Sequence, residues 1–168
     1  KIVASDGYYR DPPEVTVHAW NGAQWTLLTR INGVARLGFA AWRGKMLALS
    51  ADGNVVAFGE PDHNARYPHA FGHVRVFARN GAQWNPRGGD LDGESAGDES
   101  GYAVALSADG TVVAIGAKEN YGLSGRDSGH VRVYVWNGAQ WNRVGQDIDG
   151  EGSSDESGHS VALSADGT

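Results

Sequence analysis

The hexapeptide Ala-Leu-Ser-Ala-Asp-Gly occurs three times in this chain of 168 residues, at 48–53, 105–110 and 162–167. Each copy begins 57 residues after the last. A fixed period of this length is typical of repeat proteins, in which each unit is one supersecondary structure that buries its apolar face against its neighbours. The repeat therefore constrains the architecture of the chain more tightly than it constrains its activity.

A second marker, Asn-Gly-Ala-Gln-Trp, recurs in the same order and supports three units, at 1–53, 54–110 and 111–168. Unit one is divergent and supplies three strands of its own, followed by the first strand of the next unit. The chain enters and leaves mid-unit, with a further first strand expected near Val161. We expect the units to form one partial domain, completed by a longer chain or by association of copies, because an open run leaves strand edges unpaired.

Unit three gives the clearest strand pattern. Small and large apolar residues alternate over 101–107, Asp109-Gly110 is a two-residue hairpin signal, and 111–116 is rich in β-branched residues. The run 129–136 then alternates apolar and polar residues up to a turn at Asn137-Gly138. No segment has a helical period. The sequence predicts an all-β fold, a β-propeller of four-stranded antiparallel blades with strands A to D.

Four alternating strands predict two different faces. The hairpin face carries the repeated Ser-Ala-Asp-Gly and Asn-Gly-Ala-Gln turns. The loop face carries the long B–C and D–A loops, which differ between units. In repeat folds, loops that vary on one face are the usual binding elements.

The pattern G-x-x-V-A-L-S-x-D-G-x-V-V-A-x-G, followed by G-x-V-x-V-[YF] and a tryptophan-bearing strand, resembles the FG-GAP-type repeats of the integrin α-like β-propellers. It is clearest from Gly72 onward. The resemblance implies a propeller, often of seven blades, in a secreted or cell-surface protein used for adhesion or ligand binding. The family commonly binds calcium in the A–B hairpin. The short hairpin at 107–111 is too small for that calcium loop.

The D–A loops offer a separate candidate site for calcium. Carboxylates stand at positions one, three, five and nine around a glycine at position four, a spacing that can converge on a hard cation. An alternative is an acidic, solvated connection whose aspartates form side-chain turns. The candidate ligands are Asp90, Asp92, Glu94, Asp98, Asp147, Asp149, Glu151 and Asp155.

A histidine-rich stretch in unit two could bind zinc or copper through Asp62, His63, His69 and His73. His73 has a repeat equivalent in His130, so we favour a scaffold residue in a strand. The other three fit a variable loop with incidental histidines.

Arg75 and Arg132 recur on strand C, where an arginine is expected to pair with a carboxylate or cover an aromatic ring. The tryptophans of the C–D hairpins are expected to pack between units. Stacking on sugar rings is the alternative, for which loop aromatics are better placed. The predicted partner-binding residues are Tyr8, Tyr9, Asp62, His63, Tyr67, His69, Asn120 and Tyr121.

Composition limits the possible functions. The formal net charge of −6 disfavours nucleic acid, no apolar run predicts membrane insertion, and the absence of cysteine removes thiolate chemistry. No catalytic motif appears. We expect a non-catalytic extracellular scaffold for adhesion or protein interaction, with calcium as the one candidate cofactor. Its partner would be a protein or glycan at the cell surface or in the matrix. The alternatives are a lectin-like propeller and, less favoured, an enzyme with catalytic residues outside this chain.

Overall fold

The fold is described from a computed structural model, which covers residues 1–6, 14–32, 46–61, 71–122 and 124–168. These residues form strands, turns and connections, so the prediction of an all-β chain is confirmed. The described part contains no helix that is long and apolar enough to cross a membrane.

Three antiparallel sheets follow one another along the chain. The first contains β1 (Ile2–Asp6), β2 (Glu14–Trp20) and β3 (Trp25–Asn32), in that order. The second contains β4 (Leu47–Leu49), β5 (Val55–Glu60), β6 (His73–Asn80), β7 (Gln83–Pro86) and β8 (Leu91–Asp92). The third contains β9 (Ala103–Leu106), β10 (Val112–Ala117), β11 (His130–Trp136) and β12 (Trp141–Asp149).

The third sheet is the four-stranded meander that the sequence predicts for unit three, with strands A to D as β9 to β12. In the second sheet the fourth strand is interrupted between β7 and β8, whereas β12 is continuous. The pairing with β6 continues past Pro86, since the backbone N–H of Arg87 donates to the carbonyl of Val76 at 2.8 Å, and it stops at Gly88 and Gly89. The repeat equivalent of Gly89 in the continuous strand β12 is Gln146.

The Ser-Ala-Asp-Gly hairpins are closed by one hydrogen-bond pattern. In unit two the Ser107 hydroxyl donates to Asp109 at 2.7 Å and accepts from the backbone N–H of Val112 at 2.9 Å. Successive hairpins are also joined to each other. The backbone N–H of Ala51 donates to the carbonyl of Ala108, and that of Ala108 donates to the carbonyl of Ala165, both at 2.8 Å.

The core lies between successive sheets. All six residues of β5 are buried because its alternate side chains face opposite neighbours. Val56 and Phe58 pack in the layer shared with the first sheet. Val55 and Ala57 pack in the layer shared with the third sheet, beside Ile115.

The predicted packing of tryptophans between units is confirmed for the third sheet. Trp136 and Trp141 lie 5.4 Å apart between ring centroids, and the Trp141 indole N–H donates to the carbonyl of Arg87 at 2.7 Å. Arg87 belongs to the connection after β7, so this contact joins the second and third sheets.

The expected strand near Val161 does not form. Its equivalent in the third sheet, β9, obtains its ladder hydrogen bonds from β10, the strand that follows it. Residues 161–164 carry no regular structure and pair with no strand in the described part of the chain.

Candidate functional site

A cleft of about 460 Å³ opens on the loop face between units two and three. Three separate segments form it: the connection after β8, the loop after β10, and the end of β12. The meander brings them together because the loop after β10 and the end of β12 lie at the same end of the third sheet. The lining residues are Glu94, Asn120, Tyr121, Gly122, Gln146, Asp147 and Asp149.

Asp147 is held rigidly beside the cleft by Arg132 on β11. The guanidinium donates two hydrogen bonds to its carboxylate, from Nε at 2.7 Å and from Nη2 at 3.0 Å. The register of β11 and β12 shifts at Val131 and Val133, the positions flanking Arg132. Arg143 adds a second cation, with Nη2 at 2.8 Å from Asp147 Oδ1. The predicted pairing of the strand-C arginine with a carboxylate is therefore confirmed.

These contacts set the ionisation of the pair. The hydrogen bond from Arg132 is the largest cause that lowers the pKa of Asp147 below its ordinary value. The same bond raises the pKa of Arg132. Asp147 is consequently ionised at neutral pH, as a fixed hydrogen-bond acceptor.

Glu94 reaches the same arginine from unit two. Its carboxylate contacts Arg132 Nη2, so one guanidinium joins acids from two units. His130 is buried, and one of its ring nitrogens lies within 4.8 Å of carboxylate oxygens of Glu94 and Asp147. Within the described ranges, this is the one group of three such side chains so close together.

The structure gives most of the predicted calcium ligands other partners. Asp98 and Asp155 accept hydrogen bonds from the backbone N–H groups of Ser95 and Gly152, at 2.9 and 2.6 Å. These are the side-chain-to-backbone turns expected if the acidic loops do not bind calcium. Burial raises the pKa of Asp98, although the hydrogen bond from Ser95 opposes the shift.

The remaining acids of the two loops are dispersed. Asp90 lies 3.7 Å from Arg75 Nε, and Asp92 lies 3.8 Å from His73 Nδ1. Asp149 faces the cleft and Glu151 is exposed. Arg132 already engages Glu94 and Asp147, which opposes a cation there, since a metal must displace the guanidinium from both carboxylates. Calcium binding stays a prediction.

Two placements differ from those expected. Asp92 belongs to β8, and Asp147 and Asp149 belong to β12, rather than to the D–A loops. In unit two the buried Leu91 pairs with Val74, and in unit three the pairing of β12 with β11 continues to Asp149 opposite His130. Asn120, expected to be available in a loop, is only 3% exposed, and its side chain opposes the rise in the pKa of Asp98. It still lines the cleft.

In unit two, the equivalents of His130 and Arg132 are His73 and Arg75, and they have different partners. Glu60 and His73 form a buried pair with 2.7 Å between Oε2 and Nε2, so the prediction that His73 is a strand residue of the scaffold is confirmed. Arg75 lies over the rings of Phe58 and Phe77, at 5.8 and 5.0 Å from their centroids. It thus covers aromatic rings, the other role expected of this arginine.

Six predicted site residues lie outside the described ranges: Tyr8, Tyr9, Asp62, His63, Tyr67 and His69. Tyr121 is 67% exposed at the cleft, as a binding residue requires. Sequence reasoning missed Gln146 and Gly122. The signal for Gln146 was a departure from the repeat, since Gly89 stands at the equivalent position of unit two.

No protein-family model matches the chain, and no curated protein matches it. Among solved structures, it is similar to the crystal structure of TolB from Acinetobacter baumannii, with a TM-score of 0.48 and 12% identity. The match covers 99% of this chain and 33% of the TolB chain, so the chain spans about a third of that protein. A similarity this distant supports no inference about function.

Proposed function

We propose that this chain is a non-catalytic binding scaffold, three units of a β-propeller of the FG-GAP type, acting outside the cell. Its partner binds the loop face at the cleft between units two and three. The observation that carries the proposal is the cleft itself. Fixed polar groups from two units converge there beside an exposed aromatic ring, as they do in ligand sites.

The electrostatics at Asp147 suit ligand binding better than proton transfer. A general acid or base works best with a pKa near the operating pH. The pKa of Asp147 is lowered, away from neutrality, by Arg132. The carboxylate therefore suits a permanent hydrogen-bond acceptor for donor groups of a ligand.

A saccharide is the ligand class that these side chains suit best. Tyr121 offers a ring that is 67% exposed, which can stack on the apolar face of a sugar. Asp149 and Gln146, both exposed, provide carboxylate and amide groups that hydrogen-bond hydroxyls. A protein partner would use the same face, with a tyrosine as its aromatic anchor.

A glycan array tests the ligand class and the location together. We expect wild-type binding to be lost in Tyr121→Ala and retained in Phe71→Ala, which removes another exposed aromatic ring, one that does not line the cleft. A signal that survives in both Tyr121→Ala and Gln146→Ala would overturn the cleft as the site. Absence of any wild-type signal would overturn the saccharide class.

A further inference from the structure

At the contact between units two and three, Arg87 and Gly88 form a surface, the seat, on which a tryptophan pair packs. The rings of Trp136 and Trp141, tilted at 57° to each other, rest on Arg87 and Gly88. The Arg87 guanidinium lies 5.1 Å from the Trp136 ring centroid. A Cβ at Gly88 would lie 2.9 Å from both rings, so the seat requires glycine.

Unit one carries the same tryptophan pair on an open surface. Trp20 and Trp25 lie 5.5 Å apart with an interplanar angle of 58°, almost the geometry of Trp136 and Trp141. They are 40% and 47% exposed. Leu27 beside them is 44% exposed, so this end of the chain presents an apolar patch.

Unit three carries the same seat without a tryptophan pair on it. Val144 and Gly145 stand 57 residues after Arg87 and Gly88. Gly145 has a φ of 70°, close to the 85° of Gly88. Among the described residues, no atom lies within 4 Å of where its Cβ would be, and Val144 is 49% exposed.

A second pair of complementary features lies at the same two ends. Among the described residues, β1 lies at the edge of the first sheet and pairs with β2 alone. In the other two sheets the equivalent edge is covered by β4 or β9. Residues 161–164, the repeat equivalent of the end of β9, carry no regular structure.

We propose that two copies of this chain associate head to tail through these surfaces. Trp20 and Trp25 of one copy sit on Val144 and Gly145 of the other. The Trp25 indole N–H then donates to the Val144 carbonyl, as Trp141 does to Arg87 within the chain. In the same joint, residues 161–164 of the second copy add to the edge of β1 of the first.

The partner is a second copy because both halves of the contact reproduce the joint between units two and three. The two surfaces are different, so the interface is heterologous and leaves each dimer with one free surface of each kind. Wild-type chains therefore grow into rings or open chains. This inference is independent of the ligand cleft.

Sedimentation velocity with two complementary variants tests the proposal. Trp20→Ala/Trp25→Ala removes the pair and keeps the seat. Gly145→Asn blocks the seat and keeps the pair, with the residue that best tolerates positive φ after glycine. Gly81→Asn is the matched control, because Gly81 has a φ of 62° and open space around it. Circular dichroism establishes that each variant keeps its strands.

We expect wild type and Gly81→Asn to sediment as multiples of 17.8 kDa, and each blocked variant to sediment as a monomer. An equimolar mixture of the two blocked variants should form a dimer that grows no further, since it contains one working seat and one working pair. A wild-type monomer at all concentrations would overturn the proposal. So would a mixture of folded variants that stays monomeric.

Discussion

The indole N–H of Trp141 donates a 2.7 Å hydrogen bond to the backbone carbonyl of Arg87, 54 residues earlier in the chain. This bond joins the second and third sheets at a point where Gly88 allows two indole rings to approach the backbone. It also defines the seat whose counterpart at Val144 and Gly145 is exposed.

Adding a methyl group at Gly88 should weaken this joint. In Gly88→Ala the Cβ meets both indole rings at 2.9 Å, and alanine is strained at a φ of 85°. We expect a loss of about 2 to 4 kcal/mol in the free energy of unfolding, measured by urea denaturation. Gly81→Ala carries the backbone strain alone and should lose only about 1 kcal/mol. Equal losses would mean that the indole rings do not depend on Gly88.

The Ser107 hydroxyl should control the acidity of Asp109. Its hydrogen bond is the largest cause that lowers the pKa of Asp109 from 3.8 to about 2. A lowered folded-state pKa gives stability that is present above about pH 4 and is lost as the pH falls towards 2. NMR titration of the carboxyl carbon should show the pKa rising in Ser107→Ala. In Ser164→Ala, the same change in another hairpin, the pKa of Asp109 should not move.

Asp147→Asn should destabilise the protein more than Asp90→Asn. Asp147 accepts two hydrogen bonds from Arg132, whose side chain is 9% exposed and would keep its charge with Glu94 as its remaining carboxylate partner. We expect a loss of about 2 kcal/mol in the free energy of unfolding. Asp90 is 50% exposed and 3.7 Å from Arg75, so its loss should stay below about 1 kcal/mol. A ranking in the opposite order in urea denaturation would contradict the assignment of Arg132 as the main support of the site.

Calcium binding by the acidic segments is testable in the same protein. Because Arg132 engages Glu94 and Asp147, we expect calcium to leave the Tm of the wild-type protein unchanged. Arg132→Met removes the competing cation and should make the Tm rise with added calcium. Glu94→Gln in that background should abolish the rise. A wild-type Tm that rises with calcium and falls with chelator would instead support calcium binding by the acids of the D–A loops.

The repeat allowed much of the fold to be predicted. Alternation over 129–136 and the Asp-Gly turn define β10 and β11, and the third sheet follows from them. The partners of Arg132 and of the Trp136–Trp141 pair were also predictable in kind. A recurrent cation on a half-buried strand requires a carboxylate or a ring, and recurrent large rings require a neighbour to pack on.

The cleft was not predictable, because it depends on contacts between units. Glu94 meets Arg132 across 38 residues, a juxtaposition that no spacing within one loop reveals. The acidic motif predicted that these carboxylates share one loop. Instead, β12 continues through Asp147 to Asp149, so these acids lie on a strand. Gln146 was visible only as a departure from the repeat.

An NMR titration of the protein with a set of simple methyl glycosides tests the central claim most directly. If the loop face binds the ligand, the shifted backbone amides should be those of Glu94, of 120–122 and of 146–149. The amides of the repeated hairpins at 51–53 and 108–110 should not move. Shifts confined to those hairpins, or no shift with any glycoside, would contradict a saccharide site in the cleft between units two and three.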